Sequence, residues 1–358
     1  VPGTGAGDVE ITAYDRTRIG LGGGALYVNT TSSSSNANIG AAFTYAETDE
    51  DTQAFVKGGS LTSFDAIQVR AVDSALIGTA AAMGGGGSQA NGLAGAFVWN
   101  DIGNTTRASI TDGAVLRTTG AEGIAVSARA SAPIDELDAL IDGGIANRSG
   151  YDFSGDALYD NAGETGLPGT SIVSVAGLVQ VGKNNIGLSF VGSDVHNTHE
   201  VEVDAATLDA GNGKLDLHAS DDTRIVSLSV GVGVATGKFA GIGNATANQI
   251  ANTDRVLVTD STLSGGSLSA KAEDASRIDS LAGNVSYSAN TAVGAAVTYN
   301  SVANTVQSHA SGSTFDIADA ADFSAPNRTE VMAGAVARAA SQSVAITGSV
   351  SWTESDSE

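Results

Sequence analysis

One landmark returns through nearly the whole chain of 358 residues, and its spacing limits what such a chain can fold into. It is an alternating segment with a central alanine, a polar triplet and a branched residue. It reads ITAYDRTRI (11–19), VRAVDSALI (69–77), LHASDDTRI (217–225), AKAEDASRI (270–278) and FSAPNRTEV (323–331). The alanines are Ala13, Ala71, Ala219, Ala272 and Ala325, with a sixth, Ala128, in VSARASA (126–132). Ile225, Ile278 and Val331 lie 53 residues apart, and Ile19 and Ile77 lie 58 apart. The gap from Ile77 to Ile225 is too long for one unit. SIVSVAGLVQV (171–181) matches RIDSLAGNVSY (277–287), so Ile172 supplies the missing anchor.

A second landmark follows in each unit: GAAFTY (40–45), AGAFVW (94–99), GLSFVG (187–192), GIGNAT (241–246), GAAVTY (294–299) and a last GSVSWT (348–353). Four copies continue into an Asn-Thr phrase: NDIGNTTR (100–107), SDVHNTHE (193–200), NQIANTDR (248–255) and NSVANTVQ (300–307). The first copy has the acidic AETDEDT (46–52) there instead.

Each unit alternates apolar and polar residues, with Gly, Asn, Asp and Ser at the breaks, which is strand-and-turn patterning. A unit of this length with few large side chains cannot bury a core alone, so neighbours must supply the missing face. The expectation is an all-β fold, a parallel β-helix (β-solenoid) of about six degenerate 53–58-residue repeats. With rungs of roughly 18–28 residues, each unit would hold two or three, making a rod on the order of 60–90 Å long. Ile278, Leu281, Val285, Val293 and Val297 are expected to point inward. A chain of small β-sandwich modules is the weaker alternative, because such sandwiches favour aromatic cores.

Composition fits a thin core. There are 46 glycines, four prolines and 5% aromatics beside 42% hydrophobic residues. The net charge of −23, from 40 acidic against 17 basic residues, excludes the basic footprint that nucleic acid or an anionic membrane needs. With no cysteine, disulfides, zinc thiolates and thiol nucleophiles are excluded. No run of about 18 apolar residues suggests a membrane helix, and no membrane insertion is expected.

The repeats divide the chain into 1–132, an insertion at 133–170 and 171–358 continuing the same rod. The insertion is bracketed by Pro133 and Pro168, and IDELDALI within it carries a short helical pattern. Its Tyr151, Phe153 and Tyr159 make it a candidate recognition element, against a plain decorating loop.

Little in the chain carries chemistry. Asn104, Asn197, Asn252 and Asn304 in the Asn-Thr phrase read as structural corners, since Asn tolerates left-handed backbone and stacks in ladders. HNTHE (196–200) has two histidines three apart, which on a strand point to opposite faces and suit zinc poorly. Asp49, Glu50 and Asp51 are weak calcium candidates, against a solvated acidic patch. No other cofactor is expected. No nucleophile elbow, P-loop or EF-hand loop is present.

The strings ASRIDSLAGNVSYSANTAVGAAVTYNSVANTV (275–306) and STLSGGSLSAKAEDASRI (261–278) resemble large repetitive bacterial exoproteins of the filamentous haemagglutinin and leukotoxin-like adhesin type. The resemblance covers nearly everything but the insertion. It implies a right-handed parallel β-helix at the bacterial cell surface or outside it, acting in adhesion, aggregation or biofilm. It also suggests that the chain is a stretch of a longer polypeptide. The implied partners are a host or neighbouring-cell surface, a polysaccharide, or other copies of the chain. A self-assembling filament or sheath subunit and a polysaccharide-active β-helix enzyme are the alternatives.

Overall fold

The computed structural model describes residues 7–28, 37–130 and 169–357. Among these residues every regular element is a strand and every strand pairing is parallel. The strands form one 13-stranded sheet and two 5-stranded sheets.

The register runs from one repeat to the next. Ala13 pairs with Ala71, Ala71 with Ala128, Ala128 with Ala219 and Ala219 with Ala272. Ile19, Ile77, Ile172, Ile225, Ile278 and Val331 form a second unbroken column. Strand neighbours are therefore whole repeats apart, and each repeat makes a single circuit. The expectation of two or three rungs per repeat is corrected: pairing within a repeat would have put partners some 20 residues apart, and no such pairing joins the described strands. Long strands absorb the extra length. In one circuit they are Lys214–Ile250, Thr253–Thr259 and Thr262–Gly265.

The pairing also moves one landmark by a residue. GAAVTY (294–299) faces 242–247 and not GIGNAT at 241–246, because Ile242 pairs with Gly294. A slip of one in a period-two pattern exchanges the two faces.

Ala130 and Thr170 belong to the same circuit. Gly123–Ala130 pairs with 215–220 and Thr170–Val195 with 223–250 of the same following strand. Of the 133–170 insertion, residues 133–168, with Tyr151, Phe153, Tyr159 and the IDELDALI pattern, lie outside the described residues.

Each circuit has two compartments. The body is closed by strands such as Gly123–Ala130, Thr198–Asp204 and Thr207–Asp209 and has ordinary polarity. Ile124, Val126, Val201, Val203, Leu208, Leu215 and Leu217 fill it at 0% exposure. Each such side chain contributes about 1.5–3 kcal/mol on burial. Periodic alanines (Ala71, Ala128, Ala219, Ala272) let opposite walls approach closely. Gly123 opens the circuit with φ at +84°, and a Cβ there would strike the Lys214 backbone. Gly123→Ala is expected to lose at least about 1–2 kcal/mol of stability in urea unfolding, because L-residues resist that backbone region.

The second compartment is a flat arm. Two runs of the main sheet, such as 223–235 and 239–250, face each other across a narrow gap. Ser227 hydroxyl donates to Asn248 Oδ1 at 2.6 Å, and Asn244 Nδ2 donates to Ser229 Oγ at 3.4 Å across it. Ile77, Ile172, Ile225 and Ile278 with Ile102, Val195, Ile250 and Val302 seal the arm from the body.

Candidate interaction surface

In the later circuits the arm reverses the usual polarity, burying Ser, Asn, Thr and Gly and turning Val and Leu outward. From Leu215 to Ala235 every odd residue is buried, so the alternation never breaks. The buried residue types exchange after Ala219. Leu215, Leu217 and Ala219 are followed by buried Asp221 and Thr223 and then, past Ile225, by Ser227, Ser229, Gly231 and Gly233, while Val226, Leu228, Val230 and Val232 face outward. Around 227–233 and 280–288 the gap between the two arm sheets holds small polar side chains that bond across it, while Met83, Val98, Leu178, Val191 and Ile242 form a buried apolar cluster in it toward the earlier circuits. Asn284 Nδ2 donates to the Ala295 carbonyl at 2.6 Å, and Ser189 and Ser229 hydroxyls are bonded to each other.

Three inward expectations are therefore corrected. Ile278 is buried, but Leu281, Val285 and Val297 are 44%, 47% and 43% exposed, and Val293 is half-buried. They lie on the outer faces of the arm, where period-two alternation says which residues share a face but not which face is inside.

The two outer faces differ in relief. On the face built from 37–48, 91–102 and 184–195, Phe43, Phe97 and Phe190 are in register, as are Tyr45 and Trp99. Trp99 stacks on Phe190 with ring centroids 6.2 Å apart and planes 11° apart, covering Gly192. Tyr299 and Trp352 continue that column in later circuits. The result is a raised aromatic ridge over the first three circuits, broken at Ala245 and Ala247 and resumed by Tyr299 and Trp352. On the opposite face Gly24, Ala82, Gly177 and Gly283 fall in one column, interrupted by Val230 and ended by Val336. They floor a groove parallel to the ridge, walled by Val179, Val232 and Val285 on one side.

Charge gathers where the ridge meets the body. Glu47, Asp101 and Asp194 pair in register as a ladder of carboxylates. Burial, and then the neighbouring Glu47 and Asp49, raise Asp101; burial and Asp101 raise Asp194. His196 Nδ1 lies 3.4 Å from Asp101 Oδ1 and offsets part of this.

The sequence-predicted residues fall as follows. Asn104, Asn197, Asn252 and Asn304 are buried at the corner after the arm. Each Oδ1 accepts the backbone N–H of the residue in the preceding circuit: Glu50, Asn104, Asn197 and Asn252, at 3.0–3.1 Å. Each Nδ2 donates inward, Asn104 to Asp73 at 3.0 Å and Asn252 to Thr223 at 3.2 Å. Asp49, Glu50 and Asp51 are exposed, and Asp51 accepts from Gln53. Among the described residues no three His, Asp or Glu side chains gather as a metal site. Within HNTHE, His196 is exposed and His199 fully buried.

His199 belongs to a buried group that sequence reading missed. Its Nε2 is 3.2 Å from Asp73 Oδ1, and its Nδ1 3.2 Å from Asp254 Oδ1. Asp73, Ala130, Asp221 and Asp274 occupy one column, and Thr106, His199 and Asp254 the column facing it. His199 enters in the one of these circuits where alanine replaces the aspartate. That break in an otherwise acidic column was the available signal.

Comparison with protein-family models, with curated proteins and with solved structures finds no match.

Proposed function

We propose that the chain is a non-enzymatic segment of a large extracellular bacterial surface protein, a stiff spacer that also carries an adhesion or aggregation surface. In this reading the paired circuits wind as a right-handed parallel β-helix of about six coils. The observation that carries it is the parallel register linking every circuit to the next, column by column. Such continuous ladders resist bending, because displacing one coil strains every backbone bond to its neighbours. The apolar outer faces of the arm supply the contact surface, since exposed apolar patches beyond a few hundred Å² mark interaction sites.

Displaying the chain on a non-aggregating bacterium tests this. The expected result is new cell–cell or cell–surface attachment with no polysaccharide turnover. Cells that stay dispersed and unattached would contradict the reading.

A second reading, a polysaccharide-active β-helix, draws on the Glu47–Asp101–Asp194 ladder beside Tyr45 and Trp99. Release of reducing ends from a polysaccharide, abolished by Asp101→Asn, would favour it.

A further inference from the structure

We propose that the two arm faces bind each other between copies of this chain, the aromatic ridge of one copy seating in the glycine-floored groove of the next. The inference rests on the reading of the arm as a contact surface and names its partner.

Three observations commit the face to a second copy. The first is relief. Ridge and groove both run along the stack, and both repeat at the interstrand spacing of about 4.8 Å. A ridge of Phe43, Phe97 and Phe190 therefore meets a groove of the same pitch. The groove floor is open: a Cβ added at Gly177 meets nothing within 4 Å, and one at Gly283 meets only the Val336 carbonyl at 3.8 Å. These glycines are not required by packing inside the chain, and what their missing side chains leave is space.

The second observation is area. Five strand spacings of about 4.8 Å, by eight residues of about 3.3 Å along the strands, give about 650 Å² per face. Two faces together bury about 1,300 Å², within the range of a specific protein interface.

The third is charge. The chain carries −23, yet over all six circuits the outward groove positions hold only two charged residues, Asp279 and Arg338, of opposite sign. The repulsion between copies is concentrated on the body and on the ladder at the arm base. Because ridge and groove lie on opposite faces of one arm, the contact is head-to-tail and does not close. It generates a row of rods side by side.

Sedimentation of the full chain over a range of concentrations tests the proposal. Open-ended growth with concentration is expected. Gly177→Val with Gly283→Val fills the groove with strand-favouring side chains and should keep the fold. It is expected to weaken association at least about tenfold, as loss of a central interface feature does. Phe43→Ser with Tyr45→Ser, which flattens the exposed end of the ridge, is expected to do the same. Mixing the two variants should yield pairs and nothing larger, because only one intact ridge and one intact groove remain to meet. Circular dichroism melts of each variant verify folding, and the valine variant still decides the matter where the serine variant unfolds.

The proposal is overturned if the chain stays monomeric throughout, or if the valine variant associates more tightly, as simple apolar stickiness would require. It is also overturned if the serine variant alone forms the full row. Flotation of a monomeric chain with phosphatidylcholine vesicles would assign the faces to lipid instead. A monomeric chain that still aggregates displaying cells would sink this contact while leaving the adhesive role standing.

Discussion

His199→Ala lowers the unfolding free energy by about 3–5 kcal/mol, the cost of removing one partner from a buried charge group. The imidazole is fully buried between Asp73 and Asp254, 3.2 Å from each. Without it Asp73 keeps only hydrogen bonds such as that from Asn104. Urea unfolding at pH 5, where the His199 contribution is fully present, measures the effect.

The wild-type chain has its own pH signature from the same group. Burial, with neighbouring carboxylates, pushes Asp221 and Asp274 up to about 7 and Asp254 up to about 6. The folded state therefore holds protons that the unfolded chain releases from about pH 4 upward, and stability falls as pH rises toward 7. His199 adds to the same trend. Burial works against its charge, but Asp221, Asp254 and Asp73 outweigh it and hold its pKa well above the ordinary value. Its contribution is fully present below about pH 6.5 and is lost as pH rises through the folded pKa. Asp73 works in the opposite sense. Burial alone would raise it, yet His199 and Asn104 hold it below the usual carboxylate range, so its contribution fades only in stronger acid. The chain is expected to be more stable at pH 5 than at pH 8.

Asn252→Ala is the second large effect, about 2–4 kcal/mol, because it leaves buried polar groups unpaired on both sides. The Asn197 N–H loses its acceptor at 3.0 Å, and Thr223 and Asp274 lose a donor. Asn252→Asp keeps the acceptor but removes the donor beside Asp274, and should cost as much or more at neutral pH. Thermal melts of both variants, set against an exposed control such as Gln307→Ala, measure the difference.

The stacking was legible in the sequence because it depends on residues that recur in register. The isoleucines from Ile19 to Ile278 and the alanines from Ala13 to Ala272 mark true neighbours in space. Ile172 was found through SIVSVAGLVQV even though the insertion separates it from Ile77. Two features were not legible. The size of a circuit depends on where the chain turns, and the arm turn carries no recurring signal: it holds Gly237 in one circuit and Asn290 in the next. The polarity of the arm was read backwards for Leu281, Val285 and Val297. Alternation of Val with Ser is equally regular whichever side faces solvent, and the thin polar seam exists only once two sheets oppose each other. His199 was discounted for its spacing to His196. Its real partners come from other circuits, and no local motif announces them.

The absence of cysteine makes the central claim, one circuit per repeat, directly measurable. Thr12, Arg70, Ser127, His218, Lys271 and Ser324 occupy successive positions of a single column. Spin labels on Thr12→Cys and Ser324→Cys report the distance across five steps by pulsed dipolar spectroscopy. The account predicts a distribution centred near 24 Å, five spacings of about 4.8 Å. A distance of about 48 Å or more, as two or three rungs per repeat or separate modules would give, would contradict it.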